Sequence, residues 1–150
     1  MIARELIQAV PKSDLHIHLD GSMRVATLIE LAREQRVALP SYEVEGLNEL
    51  VFKPVYRDLP EYLAGFQYTC AVLRSFEAME RAAFELAEDV IAQGVRYVEV
   101  RFAPQLLVPT GEACVRALKA VGDGLGRAAR QHSTSPAMQQ GEDIPFEWAI

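Results

Sequence analysis

The chain is poor in cysteine, histidine and tryptophan and has no concentration of positive charge. Its two cysteines, Cys70 and Cys114, fall in separate helix-like segments with no CxxC between them. That argues against a disulfide framework and points to two buried free thiols. Fifteen basic residues face twenty-one acidic ones, for a net charge of −6, and the densest basic run, Arg127 to Arg130, holds two arginines. Nucleic acid is read through a basic footprint that neutralises phosphates, so no nucleic-acid partner is expected. No apolar run approaches the roughly 18 residues of a membrane span. The N-terminus, "MIARELIQAVPKSD", lacks the apolar core of a secretory signal. No membrane contact is expected, and the cytoplasm is the expected location. Internal repeats and low-complexity stretches are also missing, and nothing in the composition speaks to oligomeric state.

What is present is 150 residues, half of them apolar, enough for one globular core. Residues 2–10 read as a short amphipathic helix stopped by Pro11. Asp14 to Leu19 alternates polar and apolar residues, the period of a strand. Ser22 is the expected N-cap of a helix over Arg24 to Arg36, with Leu28, Leu31 and Ala32 on its apolar stripe. After the turn-rich "ALPSYEVEG", Val44 to Tyr56 is irregular or short-helical. Pro60 fits the first turn of a helix bearing Leu63, Phe66, Cys70 and Leu73. Ser75 caps another, with Phe76, Met79, Ala83, Leu86 and Val90 at helical spacing, and Gly94 ends it. Val95 to Phe102 is a second strand. Thr110 caps a helix with Val115, Leu118, Val121 and Leu125 on one face, Ser133 to Asp143 reads as a polar loop, and Pro145 to Ile150 starts a third strand.

This order gives an α/β fold with parallel strands and crossover helices. About 75 residues separate the first two strands, far more than one crossover helix needs, and long insertions of that kind sit over active-site faces. A third strand reached at Ile150, with two unpaired sheet edges, makes residues 1–150 the expected N-terminal part of a single larger domain.

The chemistry concentrates in "DLHIHLDG", Asp14 to Gly21. On a strand, residues i and i+2 share a face, so His16 and His18 stand close enough to reach one cation. Imidazole is the commonest metal ligand. Two solvent-facing or hydrogen-bonded histidines on an edge strand are the plainer alternative. The flanking Asp14 and Asp20 tilt the balance, because four ionisable side chains on one strand face are costly in a packed core and fit a polar cavity. Glu99 and Arg101 alternate with Val98, Val100 and Phe102, which puts both on one face of the second strand as a buried ion pair or with Arg101 reaching another strand's carboxylate.

"PKSDLHIHLDGSMR" resembles the opening of the adenosine deaminases, zinc enzymes of the amidohydrolase superfamily. "LPEYLAGFQYTC", the long helix after it and "GVRYVEVRFAP" resemble that family's second block. The resemblance implies a TIM (β/α)₈ barrel, of which this chain holds about the first three strands and their helices, with the site at the strands' C-terminal ends. It implies Zn²⁺ held by His16 and His18, with His18 also near a bound small-molecule purine nucleoside and Asp20 on the ribose 5′-hydroxyl. It places Leu59, Tyr62, Leu63 and Phe66 on a helix whose apolar face lids the pocket, although a stripe at that spacing equally describes core. It implies hydrolytic deamination of adenosine, and of 2′-deoxyadenosine, to the inosine product and ammonia. The third histidine, the catalytic glutamate and the zinc-binding aspartate have no match here, so no catalytic residue is assigned and residues 1–150 alone are expected to be inactive. The alternatives are a sister deaminase acting on adenine or a modified adenine nucleoside, and a non-catalytic remnant.

Other motifs fall away. "GDGLG", Gly122 to Gly126, follows a helix rather than a strand and is no nucleotide loop. The H-x-E and P-C-x-x-C pair of the other zinc deaminases is missing. His132, in the expected polar loop, reads as solvated, and no serine sits near a credible base.

Overall fold

Three parallel strands form one sheet in the order β1–β2–β3, namely Lys12–His18, Val95–Arg101 and Glu147–Ala149. The computed structural model describes residues 3–150, so residue 2 of the first expected helix lies outside the described residues. The helices are α1 (Arg4–Ala9), α2 (Val25–Gln35), α3 (Val44–Leu50), α4 (Leu59–Ala64), α5 (Phe66–Val72), α6 (Phe76–Ala92), α7 (Pro104–Leu107), α8 (Gly111–Ser133) and α9 (Pro136–Gln139).

Local chemistry sets several boundaries where the sequence places them. The Ser75 hydroxyl accepts from the Ala78 N–H at 3.1 Å and starts α6, and Thr110 does the same for Ala113 at 3.2 Å and starts α8. Gly94 follows α6 with φ of +82°, the left-handed conformation that glycine adopts without penalty. Ser22 is a correction. The residue before α2 is Arg24, and the Ser22 hydroxyl instead donates to the His18 carbonyl at 2.6 Å, which closes the turn after β1.

The single helix expected after Pro60 is two, α4 and α5, broken at Gly65. A Cβ on Gly65 would stand 3.4 Å from Phe52 and Val51, so the break lies where the chain after α3 passes close by. The expected polar loop after residue 133 contains a short helix, α9, capped by Ser135.

Two apolar clusters hold these elements. One lies between the sheet and α6 and α8 and includes Leu19, Val98, Val100, Met79, Leu86, Val121 and Leu125; the other joins α2, α3 and α5 through Leu28, Leu31, Leu47 and Val72. The buried face of α8 is Ala117, Ala120, Val121, Gly124, Leu125, Ala128 and His132. Val115 and Leu118, expected on that face, are 66% and 41% exposed. The reason is distance. A Cβ on Gly124 would collide with the Glu80 carbonyl, so α8 approaches α6 along its small residues rather than its large ones. His132 is buried, not solvated, with Nε2 3.0 Å from the Ile144 carbonyl oxygen, because α8 runs on to Ser133.

The expected Glu99–Arg101 pair does not form. Glu99 accepts from the Tyr97 hydroxyl at 2.9 Å, and Arg101 is exposed at the end of β2.

Candidate functional site

The site is built where β1 ends and turns toward α2. Pairing of β1 with β2 slips between Asp14 and Ile17, where three steps on β1 match two on β2. Such a bulge interrupts strict alternation. The apolar face expected for β1 is accordingly broken: Leu15 is 58% exposed while Leu19 is fully buried. The Asp14 carboxylate accepts from the His16 backbone N–H at 3.4 Å.

His16, inside the bulge, and His18, just past it, converge. Their Nε2 atoms are 3.3 Å apart and their ring centroids 5.3 Å apart. That separation suits one Nε2–H donating to the other. It equally matches the edge of a tetrahedron of nitrogens about 2.0–2.1 Å from a central zinc, which is about 3.3–3.4 Å. Both rings are exposed, so the shared direction of their Nε2 atoms opens outward. The two residues therefore fit a metal as part of a ligand set. Among the described residues, no group of three or more His, Cys, Asp or Glu is placed to hold a metal ion.

His18 turns its other nitrogen, Nδ1, toward Asp20 Oδ1 at 3.6 Å, close for a charge contact but too long for a hydrogen bond. Asp20 Oδ1 is buried and has no hydrogen-bond partner among the described residues. A buried carboxylate oxygen left unpaired costs roughly 1–3 kcal/mol or more. Asp20 Oδ2 accepts from the Cys70 thiol at 3.7 Å.

Asp20 opens into a small cavity of about 80 Å³ walled by Met23, Phe52, Tyr56, Tyr62, Phe66 and Thr69. Tyr56, Tyr62 and Phe66 meet edge to face at centroid distances of 5.2 and 5.6 Å, the arrangement aromatic rings prefer. Asp58 caps α4 by accepting from the Glu61 N–H at 2.9 Å. Glu61 in turn accepts from the Arg57 N–H at 2.7 Å and from Lys53 at 3.0 Å, which holds its carboxyl below the usual range. The reciprocal cap fixes how α4 leaves the loop carrying Tyr56.

The structure thus brings Asp20, Tyr62 and Phe66 together around one cavity and sets His16 and His18 beside it. It leaves Leu59 and Leu63 off the cavity wall, 65% and 50% exposed. α4 buries no residue at all, so its apolar stripe is not core.

The turn bearing Asp20 is anchored from behind. Arg24 donates to both oxygens of Asp89 and to Glu88 and the Glu85 carbonyl, a set that raises its pKa. Next to it the Thr27 hydroxyl donates to the buried Glu85 carboxylate at 2.5 Å.

A family model for adenosine deaminase matches residues 11–138, which contain every one of these site residues. The chain belongs to the adenosine deaminase family. A probable adenosine deaminase of Dictyostelium discoideum is 43% identical over 128 residues, 85% of this chain and 17% of that protein. The adenosine deaminase of Shewanella woodyi is 41% identical over 122 residues, 81% of this chain and 37% of that protein. The chain therefore spans well under two thirds of these relatives. The crystal structure of Arabidopsis ADAL complexed with IMP superposes with a TM-score of 0.64 at 29% identity, covering 87% of this chain and 37% of that one. An amidohydrolase from Burkholderia ambifaria with bound Zn gives 0.62 at 26% identity, covering 85% and 34%. As an adenosine deaminase family member, the chain has parallel strands and helices that resemble the start of the deaminase (β/α)₈ barrel.

Around this candidate site, Phe52 and Tyr56 on the cavity wall and Cys70 beside Asp20 are not singled out by the sequence. Cys70 had a usable signal, since it follows Phe66 by one helical turn and shares its side of α5. Phe52 and Tyr56 lie in a segment without periodicity and reach the cavity only through tertiary packing.

Proposed function

We propose that the protein is a zinc-dependent hydrolase that deaminates adenosine, and 2′-deoxyadenosine, to the inosine product and ammonia. The observation that carries this reading is the convergence of His16 Nε2 and His18 Nε2 at 3.3 Å, beside a cavity lined by Asp20, whose Oδ1 is buried and unpaired among the described residues. His16 and His18 would hold Zn²⁺ with ligands from outside these 150 residues, and zinc when bound supplies Lewis-acid activation of water near neutral pH. Asp20 Oδ1 accepts from a sugar hydroxyl, which satisfies the orphaned oxygen. His18 stands between the two functions, one ring nitrogen toward the metal position and the other toward Asp20. Tyr62 and Phe66 close over the base, and Leu59 and Leu63 extend that cover on the exposed side of α4. With no third ligand among the described residues, residues 1–150 by themselves turn over adenosine negligibly. Two free thiols fit a reducing compartment, and the cytoplasm is the proposed location.

A 5′-monophosphate substrate is the reading suggested by the likeness to ADAL, whose structure was solved with IMP and GMP. The cavity argues against it. Among the described residues no lysine or arginine lines the wall, and Asp20 would face the phosphate charge.

The test is metal analysis and a purine panel on the full product of the gene: adenosine, 2′-deoxyadenosine, adenosine 5′-monophosphate and adenine. One zinc per chain with turnover of the two nucleosides is expected. Turnover of the monophosphate or of free adenine in preference to them would overturn the substrate assignment. Asp20→Ala should weaken nucleosides more than adenine, and equal losses would remove the ribose role.

A further inference from the structure

One group touches this site without a part in the reading above. Cys70 stands on α5, and its thiol donates to Asp20 Oδ2 at 3.7 Å, a long contact from a weak donor. It does not line the cavity. Burial first, and then the neighbouring Asp20 charge, push the Cys70 thiol up, so it holds its proton at neutral pH and remains a donor. Cys70 therefore makes the two oxygens of Asp20 inequivalent: Oδ2 is engaged from α5, while Oδ1 is buried, unpaired among the described residues and 3.6 Å from His18 Nδ1. A carboxylate on a turn has a soft terminal torsion, and a donor on one side only selects one orientation.

We propose that Cys70 is a positioning residue, its thiol holding Asp20 through Oδ2 so that Oδ1 is presented to the hydroxyl of the substrate sugar. The inference rests on the reading that Asp20 meets that hydroxyl. Because Cys70 comes from α5 and Asp20 from the turn after β1, the same contact ties the helix carrying Phe66 to the strand carrying the histidines.

The experiment uses the full gene product with Cys70→Ala, Cys70→Ser and Asp20→Ala, and compares adenosine with 5′-deoxyadenosine, which lacks the hydroxyl. Cys70→Ala should raise KM for adenosine about three- to tenfold, the scale of one modest hydrogen bond, with a smaller change in kcat. KM for 5′-deoxyadenosine should not move, and Cys70→Ser should recover most of the loss. Cys70→Ala acting equally on both substrates, or on neither, overturns the proposal. If Asp20→Ala itself treats the two substrates alike, the ribose reading fails instead, and the two failures are distinct. A readout independent of turnover is alkylation of Cys70, followed by mass spectrometry of the peptide that carries it. Replacing Asp20 by Ala removes the acceptor and the charge, so alkylation at pH 8 should accelerate severalfold. An unchanged rate would show that the contact does not hold in solution.

Discussion

Arg96 grips Asp143 with two hydrogen bonds, 2.7 Å from Nε to Oδ1 and 2.6 Å from Nη2 to Oδ2, and so fastens the segment before β3 to the first half of β2. The same guanidinium donates to the carbonyls of Ile91 and Val95 at 2.8 Å, and His132 Nε2 lies 3.7 Å from Asp143. The hydrogen bonds from Arg96 hold the Asp143 carboxyl well below its ordinary value, at about 2, with the Ile144 N–H and the Arg96 charge adding to the effect against the opposing pull of burial.

A group whose pKa is lowered by folding stabilises the native state above its unfolded value and loses that contribution as pH falls through the folded one. Asp143 should therefore contribute fully above about pH 4 and fade toward pH 2. Melting temperatures of the wild type and Asp143→Asn, followed by circular dichroism across that range, should differ at neutral pH and converge in acid. A gap that stays constant with pH would rule this out.

The close crossing of α6 and α8 depends on Gly124. Alanine is the better helix former by about 1 kcal/mol, yet its Cβ would press on the Glu80 carbonyl, the Phe84 N–H and the Ala83 side chain. Steric overlap with backbone outweighs propensity here. Gly124→Ala should destabilise by about 1–3 kcal/mol in urea titrations. Gly111→Ala, at the start of the same helix with nothing within 4 Å of the added carbon, should be neutral or slightly stabilising.

Thr27 and Glu85 form a buried contact between α2 and α6, and Arg81 completes the shell of Glu85 at 2.8 Å. Thr27→Val keeps the shape and removes the donor, leaving a buried carboxylate oxygen short of a partner. A loss of about 1–3 kcal/mol is expected by the same titration. Thr27→Ser, which keeps the hydroxyl, should lose less, and an equal loss would assign the effect to the methyl group.

If His16 and His18 share a zinc ion, removing either should weaken it sharply. His16→Ala and His18→Ala should each lower zinc affinity of the full gene product by at least about tenfold, the loss typical even of residues that only hydrogen-bond a metal ligand. Competition with a chromophoric chelator measures this directly. His132→Ala is the control and should leave affinity alone, since its Nε2 is engaged by the Ile144 carbonyl.

Much of the site was legible because its chemistry is carried by residue type and spacing. H-x-H followed by Asp marks His16, His18 and Asp20, and the structure sets the three close together. Caps written in side chains, Ser75 and Thr110, were legible for the same reason. The bulge in β1 was not, because it depends on how β2 presents its partners, and it breaks the strict alternation expected of the strand. The buried face of α8 was misread because Val115 and Leu118 carry more apolar weight than the alanines and glycine that set helix contact distance. His132 looked solvated because its neighbours in sequence are polar, whereas its neighbours in space are not. Phe52 and Tyr56 had no local signal at all.

The spacing of β1 and β2 has a consequence for the order of assembly. The strands lie side by side, yet about 75 residues intervene. Contacts among α6, β2 and α8 join segments that are near neighbours in the chain and form at low cost in loop entropy. Pairing of β1 with β2 closes the longest loop and should come late. His16, His18 and Asp20 all depend on that pairing, so the residues proposed to meet metal and sugar take their places only after the scaffold beneath them has folded.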